Sequence, residues 1–213
     1  MNTSIQRHGL TKTLMRYLYQ KLNRLCNFEI CLVKASNGAP YSWPDVQGYE
    51  KRVVDEQEFL SKLAPDLNPS GTETLFARGD HCAASIFKDQ VVGHTFYSCQ
   101  DTAIKPGLLF RVPEGYVYSF KAFTSKAHRG RRLEPDRWKA ARAHRIEQQG
   151  TDLRTIFYVN VTNLESLAAG QLANSVTLGY SAYVILFGRP FVYNSKTCRA
   201  HQAGFAAAEV TDS

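Results

Sequence analysis

The sequence lacks any paired cysteine motif. Its five cysteines, Cys26, Cys31, Cys82, Cys99 and Cys198, are odd in number and contain no C-x-x-C, so neither a disulfide framework nor a zinc site can be read from them. Reduced, mostly buried thiols are the expectation. The six histidines are scattered, with no H-E-x-x-H or comparable ligand spacing, and no metal is implied. The opening residues MNTSIQRHG lack the continuous apolar segment of a signal peptide. One uncharged stretch, Ser166 to Gly188, is long enough to cross a bilayer. It is broken by Gln171, Asn174, Ser175 and Thr177 and by Gly170 and Gly179, and reads instead as a helix, a turn and a strand in a core. No transmembrane segment and a reducing, cytoplasmic setting follow as expectations. There is no internal repeat and no low-complexity run.

What the chain does have is apolar material: 44% hydrophobic and 12% aromatic residues over 213 positions, enough to bury a core without a staple. A single domain over residues 1–205 with a flexible tail at 206–213 is expected. Leu10, Leu14, Tyr17, Leu18, Leu22 and Leu25 recur at helical spacing and predict an amphipathic helix over 10–25, its stripe packed on the domain's own sheet. FEICLV at 28–33 reads as a buried strand and 37–44 as loop; a short helix is predicted over 55–63. HCAASIF, QVVGHTFYS and GYVYSFKAFTS are three strand-like runs, the first two joined by Lys88 and Asp89 in a tight hairpin. They predict an antiparallel meander. A helix from about Pro135 to Gln149, stopped by Gly150, then leads to the strand LRTIFYVNV, a strand–helix–strand unit whose strands are parallel. A helix starting near Asn163 and a strand over 180–187 complete the prediction. The fold class is mixed α/β.

The net charge of +7 is concentrated. Residues 126–145 hold eight of the 26 Lys and Arg residues and only two of the 19 acids, so the rest of the chain is nearly balanced. A localised patch points to an anionic ligand or a nucleic acid. His128, Arg129, Arg131 and Arg132 crowd around Gly130 just before the predicted helix. Cations are disfavoured at a helix N-terminus, which already carries partial positive charge. An anion between them resolves the conflict, because the first amides of a helix are unpaired and suit phosphate. The turn is neither a Walker loop nor a G-x-G-x-x-G.

At this point the sequence resembles the GNAT superfamily of acyl-CoA-dependent N-acyltransferases. AFTSKAHRGRRLEP is similar to that family's V-x-P-x-x-R-G-x-G-L-x-P wording, with Arg129, Gly130, Leu133 and Pro135 in matching places, while Arg132 and Glu134 stand where the motif has small residues. VTNLESL resembles the opening of a later helix, through Asn163 and Ser166, and TLGYSAY the approach to the last strands, through Gly179 and Tyr180. The resemblance covers residues 75–187. It implies a central mixed sheet with an antiparallel N-terminal meander, a parallel strand–helix–strand unit and helices on both faces. It further implies an enzyme in which an amine attacks the thioester of acetyl-CoA, or of a longer acyl-CoA, directly. The backbone of Phe123 and Thr124 would meet the thioester, and His128, Arg129, Gly130, Arg131, Arg132 and Leu133 would hold the diphosphate, with Asn163 as a further cofactor contact. Tyr118 is the candidate proton acceptor, beside a packing role for the same ring, and His94 is a second candidate. A homodimer is compatible with the family. Two other readings stay open: a nucleic-acid-binding protein using the basic 126–145 loop and helix, and a non-catalytic GNAT-like domain.

Overall fold

The computed structural model describes residues 14, 17–21, 23, 27–36, 45–172 and 174–208. In chain order the elements are β1 (Phe28–Ser36), β2 (Glu50–Val54), α1 (Glu56–Lys62), α2 (Glu73–Ala77), β3 (His81–Phe87) and β4 (Gln90–Ser98). β5 (Thr102–Lys105), β6 (Leu108–Arg111), β7 (Tyr116–Thr124), α3 (Leu133–Gln149) and β8 (Arg154–Asn160) follow. α4 (Leu164–Leu172), β9 (Ser175–Leu186), β10 (Arg189–Asn194), α5 (Lys196–Ala200) and β11 (Gly204–Ala207) close the chain. These elements form two compact units, one from segments 1–35, 101–113 and 158–213, the other from 36–100 and 114–157.

The second unit carries the predicted meander. Its strands lie in the order β8-β7-β4-β3-β2, antiparallel except for the parallel pair β7 and β8. Lys88 and Asp89 turn the β3–β4 hairpin with φ of 49° and 63°, the mirror-image turn whose twist suits a two-residue connection. α1 begins where Asp55 Oδ1 accepts the Glu58 N–H at 2.8 Å, a side-chain cap. α3 stops at Gly150, φ 65°, whose N–H bonds Ile146 O at 3.0 Å. Successive residues of a strand point to opposite faces. Cys82, Ala84 and Phe96 therefore join Val54, Phe59, Leu75 and Val91 in a core beneath α1 and α2, while Ser85 and Thr95 reach the opposite side, where they meet α3. Helices cover both faces.

In the first unit the order is β8-β1-β9-β10, with β11-β6-β5 as a separate small sheet. Phe205 gathers its core, its ring 5.0 Å from Tyr158, 5.1 Å from Tyr183 and 6.1 Å from Phe110. Gly179 admits α5: a Cβ there would collide with Ser195 Oγ, which caps that helix and accepts the Tyr180 N–H at 3.1 Å.

Several expectations are adjusted. Of the predicted N-terminal helix, residues 14, 17–21 and 23 are described and helical, and among these the packed side chain is Tyr19, not the stripe residues Leu14, Tyr17 and Leu18. Tyr19 contacts Phe28, ring to ring at 5.1 Å, and its hydroxyl accepts the Ile30 N–H at 2.7 Å, while Leu14, Tyr17 and Leu18 are exposed. The phenol prevails because it satisfies a strand amide that a leucine cannot. Leu10, Leu22, Leu25, Cys26 and the loop at 37–44 lie outside the described residues. β11 runs to Ala207, two residues past the expected boundary. The chain also forms β2, α2, the β5–β6 hairpin, β10 and α5 where no element was predicted.

Candidate functional site

The site is built at the end of β7. Pairing with β8 covers only Tyr116↔Arg154 to Tyr118↔Ile156, whereas β7 continues to Thr124 with β4 alone beside it. A bulge marks this solitary stretch: Phe120 pairs Phe96 and Phe123 pairs His94, so β7 spends one more residue than β4, and Lys121 takes φ 47°. Lys121, Ala122 and Phe123 are exposed, Phe123 at 52%. Beyond Thr124 the chain makes a 3₁₀ turn, Lys126–His128, then passes Arg129, Gly130, Arg131 and Arg132 into α3.

The turn is fixed at its flanks and open at its centre. The Ser125 N–H bonds Val92 O at 2.8 Å, and Asp66 accepts the Lys126 N–H at 2.9 Å; this bond and one with Ser125 hold the Asp66 carboxyl below its usual range. His128 Nδ1 lies 2.8 Å from the Tyr49 hydroxyl, its ring 5.2 Å from Phe87. Arg129 Nε donates to Thr124 O at 2.9 Å. Gly130 has φ 76° and nothing within 4 Å of where a Cβ would stand. Arg129, Gly130, Arg131 and Arg132 are exposed. Arg132 occupies the N-cap with φ 60° and makes no side-chain cap bond, so the first turn of α3 receives no side-chain acceptor from it. Leu133 is buried and anchors the helix start. Glu134 is partly buried; desolvation raises its carboxyl pKa, against the pull of the Arg137 cation.

Phe123 to Leu133 are thus one continuous feature. Tyr118 lies upstream of it, 2% exposed, its ring stacked on Phe120 at 4.9 Å and 2°. His94 is 1% exposed and contacts Phe59 at 5.1 Å and Phe123 at 5.6 Å. Its Nδ1 has no hydrogen-bond partner among the described residues, and burial, with Arg137 and Lys121 nearby, lowers its pKa to about 3. Asn163 belongs to the other unit, where its Oδ1 accepts the Ser166 N–H at 3.1 Å and caps α4.

The basic segment is not a continuous cationic face. Arg137 and Arg145 are 1% and 2% exposed, the latter with its guanidinium 5.6 Å from the Tyr97 ring centre. Lys139 pairs with Asp45 at 3.3 Å and Asp136 at 3.6 Å, and Arg142 pairs with Asp152. Within this segment, it is the turn that presents cations outward in a group, through Arg129, Arg131 and Arg132. Counting charge along the sequence missed this, yet a signal was there: Leu133, Arg137, Ala141 and Arg145 follow one another at a spacing of four, a single helix line, and all four are buried. Among the described residues no group of three or more His, Cys, Asp or Glu side chains could hold a metal, and no helix is long and apolar enough to cross a membrane. Cys31, Cys82, Cys99 and Cys198 are free thiols, all buried except Cys99.

The sequence matches no protein-family model and no curated protein. Among solved structures it is similar to a putative acetyltransferase of the GNAT family from Novosphingobium aromaticivorans, with TM-score 0.52 and 10% identity over 74% of this chain and 63% of that one. It is also similar to a Drosophila protein, with TM-score 0.51 and 14% identity over 82% and 57%. The chain spans less than two thirds of the length of either. At such identities the likeness concerns architecture: a mixed sheet in which an antiparallel meander hands over to a parallel strand–helix–strand unit, which is to say that this chain has a GNAT-like fold.

Proposed function

We propose that this protein is an acyl-CoA-dependent N-acyltransferase that passes an acyl group, acetyl in the first instance, from coenzyme A to an amine. One observation supports the reading above others: where β7 outruns β8, the chain turns through an open Gly130 flanked by exposed Arg129, Arg131 and Arg132 into an N-terminus of α3 that has no side-chain cap. In this reading the amides at the start of α3 and the guanidinium groups bind the diphosphate by charge-assisted hydrogen bonds. Glu134 does not oppose this, since burial favours its neutral form, against the pull of the Arg137 cation. His128, tied to Tyr49, fixes the approach to the turn. The backbone of Phe123 and Thr124 receives the thioester, whose carbonyl oxygen gains negative charge as the amine attacks.

The packing of Tyr118 supports a structural role for that ring, and orientation of donor and amine carries most of the rate in this scheme. Calorimetric titration with acetyl-CoA tests the proposal. One-to-one binding is expected, weakened about tenfold in Arg131→Ala, the loss of one charge-assisted contact, together with thiol release when amines are supplied. Absence of binding at millimolar acetyl-CoA overturns it.

A further inference from the structure

Arg137 is a fully buried cation with no carboxylate in direct ion-pair contact among the described residues; Glu134, one turn before it on α3, acts on it only through its field. Its guanidinium donates to three hydroxyls on three strands: Nε to Thr95 at 2.9 Å, one terminal nitrogen to Ser85 at 3.1 Å and the other to Thr124 at 3.3 Å. Among the described residues no acid forms an ion pair with it; Asp136, one residue away, is committed to Lys51 at 3.1 Å and Lys139 at 3.6 Å. Burying an ionised group in this way costs far more than burying a neutral one. The sheet is nonetheless shaped around it. Gly93 leaves the space it occupies, since a Cβ there would stand 2.7 Å from the guanidinium, and the three side chains that accept its hydrogen bonds are small hydroxyls.

The third of those hydroxyls gives the arrangement its use. Thr124 is the last residue of β7, in the stretch that has lost β8 as a neighbour. Its carbonyl accepts from Arg129 at 2.9 Å and its hydroxyl from Arg137. The residue is therefore held from the turn on one side and from beneath α3 on the other. We infer that Arg137 is a positioning residue of the proposed site: it clamps the free end of β7 to α3 and places a permanent buried charge under the anion-binding turn. The inference rests on the acyltransferase reading for its ligand, though not for the clamp itself.

The test compares wild type, Arg137→Met, Arg137→Lys and Thr124→Val by amide hydrogen exchange in the ligand-free protein and by coenzyme A titration. Arg137→Met is expected to speed exchange at Ser125, whose N–H bonds Val92 O, by about tenfold, the scale of one lost charged hydrogen bond, and to weaken coenzyme A binding by a similar factor. Arg137→Lys keeps the charge and loses the fork, so it should recover affinity in part while leaving exchange fast. Exchange at wild-type rates in Arg137→Met, or faster exchange with unchanged affinity, overturns the inference. Should Arg137→Met fail to fold, Thr124→Val decides the clamp: exchange at Ser125 must still rise, and wild-type exchange refutes it. A wild-type protein that ignores coenzyme A refutes the acyltransferase reading and the charge's role in it, and the exchange measurement still decides whether the clamp exists.

Discussion

Replacing Gly93 by alanine adds one methyl group at the most crowded point of the β4–β7 ladder. The new Cβ would lie 2.7 Å from an Arg137 terminal nitrogen, 3.2 Å from Phe123 O and 3.3 Å from Thr124 Oγ1. Backbone strain does not enter, because Gly93 is not among the glycines with positive φ; the cost is steric. An unconstrained arginine would swing aside, but this one is pinned by Thr95, Ser85 and Thr124, so yielding space breaks hydrogen bonds to a buried charge. Overpacking of this kind costs about 2 kcal/mol, which in a chain of this length lowers Tm by roughly 4 to 8 °C. Thermal melting followed by circular dichroism measures it. The double variant Gly93→Ala/Arg137→Met removes the colliding group, so it should recover most of the loss, a coupling that neither single change reveals. A Gly93→Ala protein that melts with the wild type, or a double variant whose loss is the sum of the two singles, refutes the reasoning.

Two further outcomes follow from buried polar groups. His94 has its pKa lowered by burial from 6.5 to about 3; the unfolded chain binds the proton more readily, so its contribution to stability is complete above pH 6.5 and is lost as pH falls toward 3. Between pH 6.5 and pH 5 this amounts to about 2 kcal/mol, and urea melts at the two pH values should show His94→Leu losing that much less than wild type; equal losses contradict the assignment. Asp136, buried, accepts the Val46 N–H at 3.1 Å and pairs with Lys51 at 3.1 Å, so Asp136→Ala strands a largely buried ammonium group and should cost about 3 kcal/mol, read as a drop in the urea midpoint; a midpoint unchanged from wild type shows that the pair contributes nothing.

The elements that were legible in the sequence are those whose stop signals and period agree. Lys88–Asp89 between two apolar runs, Asp55 before α1 and Gly150 after α3 each supply a local reason for an element to end. The elements missed are the short, charged or proline-bearing ones. β2 reads EKRVV, three of its five residues charged, and lies at the end of its strand order, where one side is unpaired and charge is tolerated. β5 and β6 have four residues each, too few to display alternation, and Pro106–Gly107, which joins them, is their hairpin turn. Pro190 hid β10, again the last strand in its order. At the site, the turn and its glycine were visible from composition. The inward course of Arg137 and Arg145 was not, because charge was assigned to the surface by type, when helical spacing placed both on the line of Leu133 and Ala141.

The space vacated at position 93 binds two parts of the chain that stand 44 residues apart in sequence into a single inherited character. Enlarging the first comes at least cost once the second has been shortened, and a shortened side chain at 137 removes the tightest of the contacts that favour a glycine at 93. Among homologues the two positions are expected to change together.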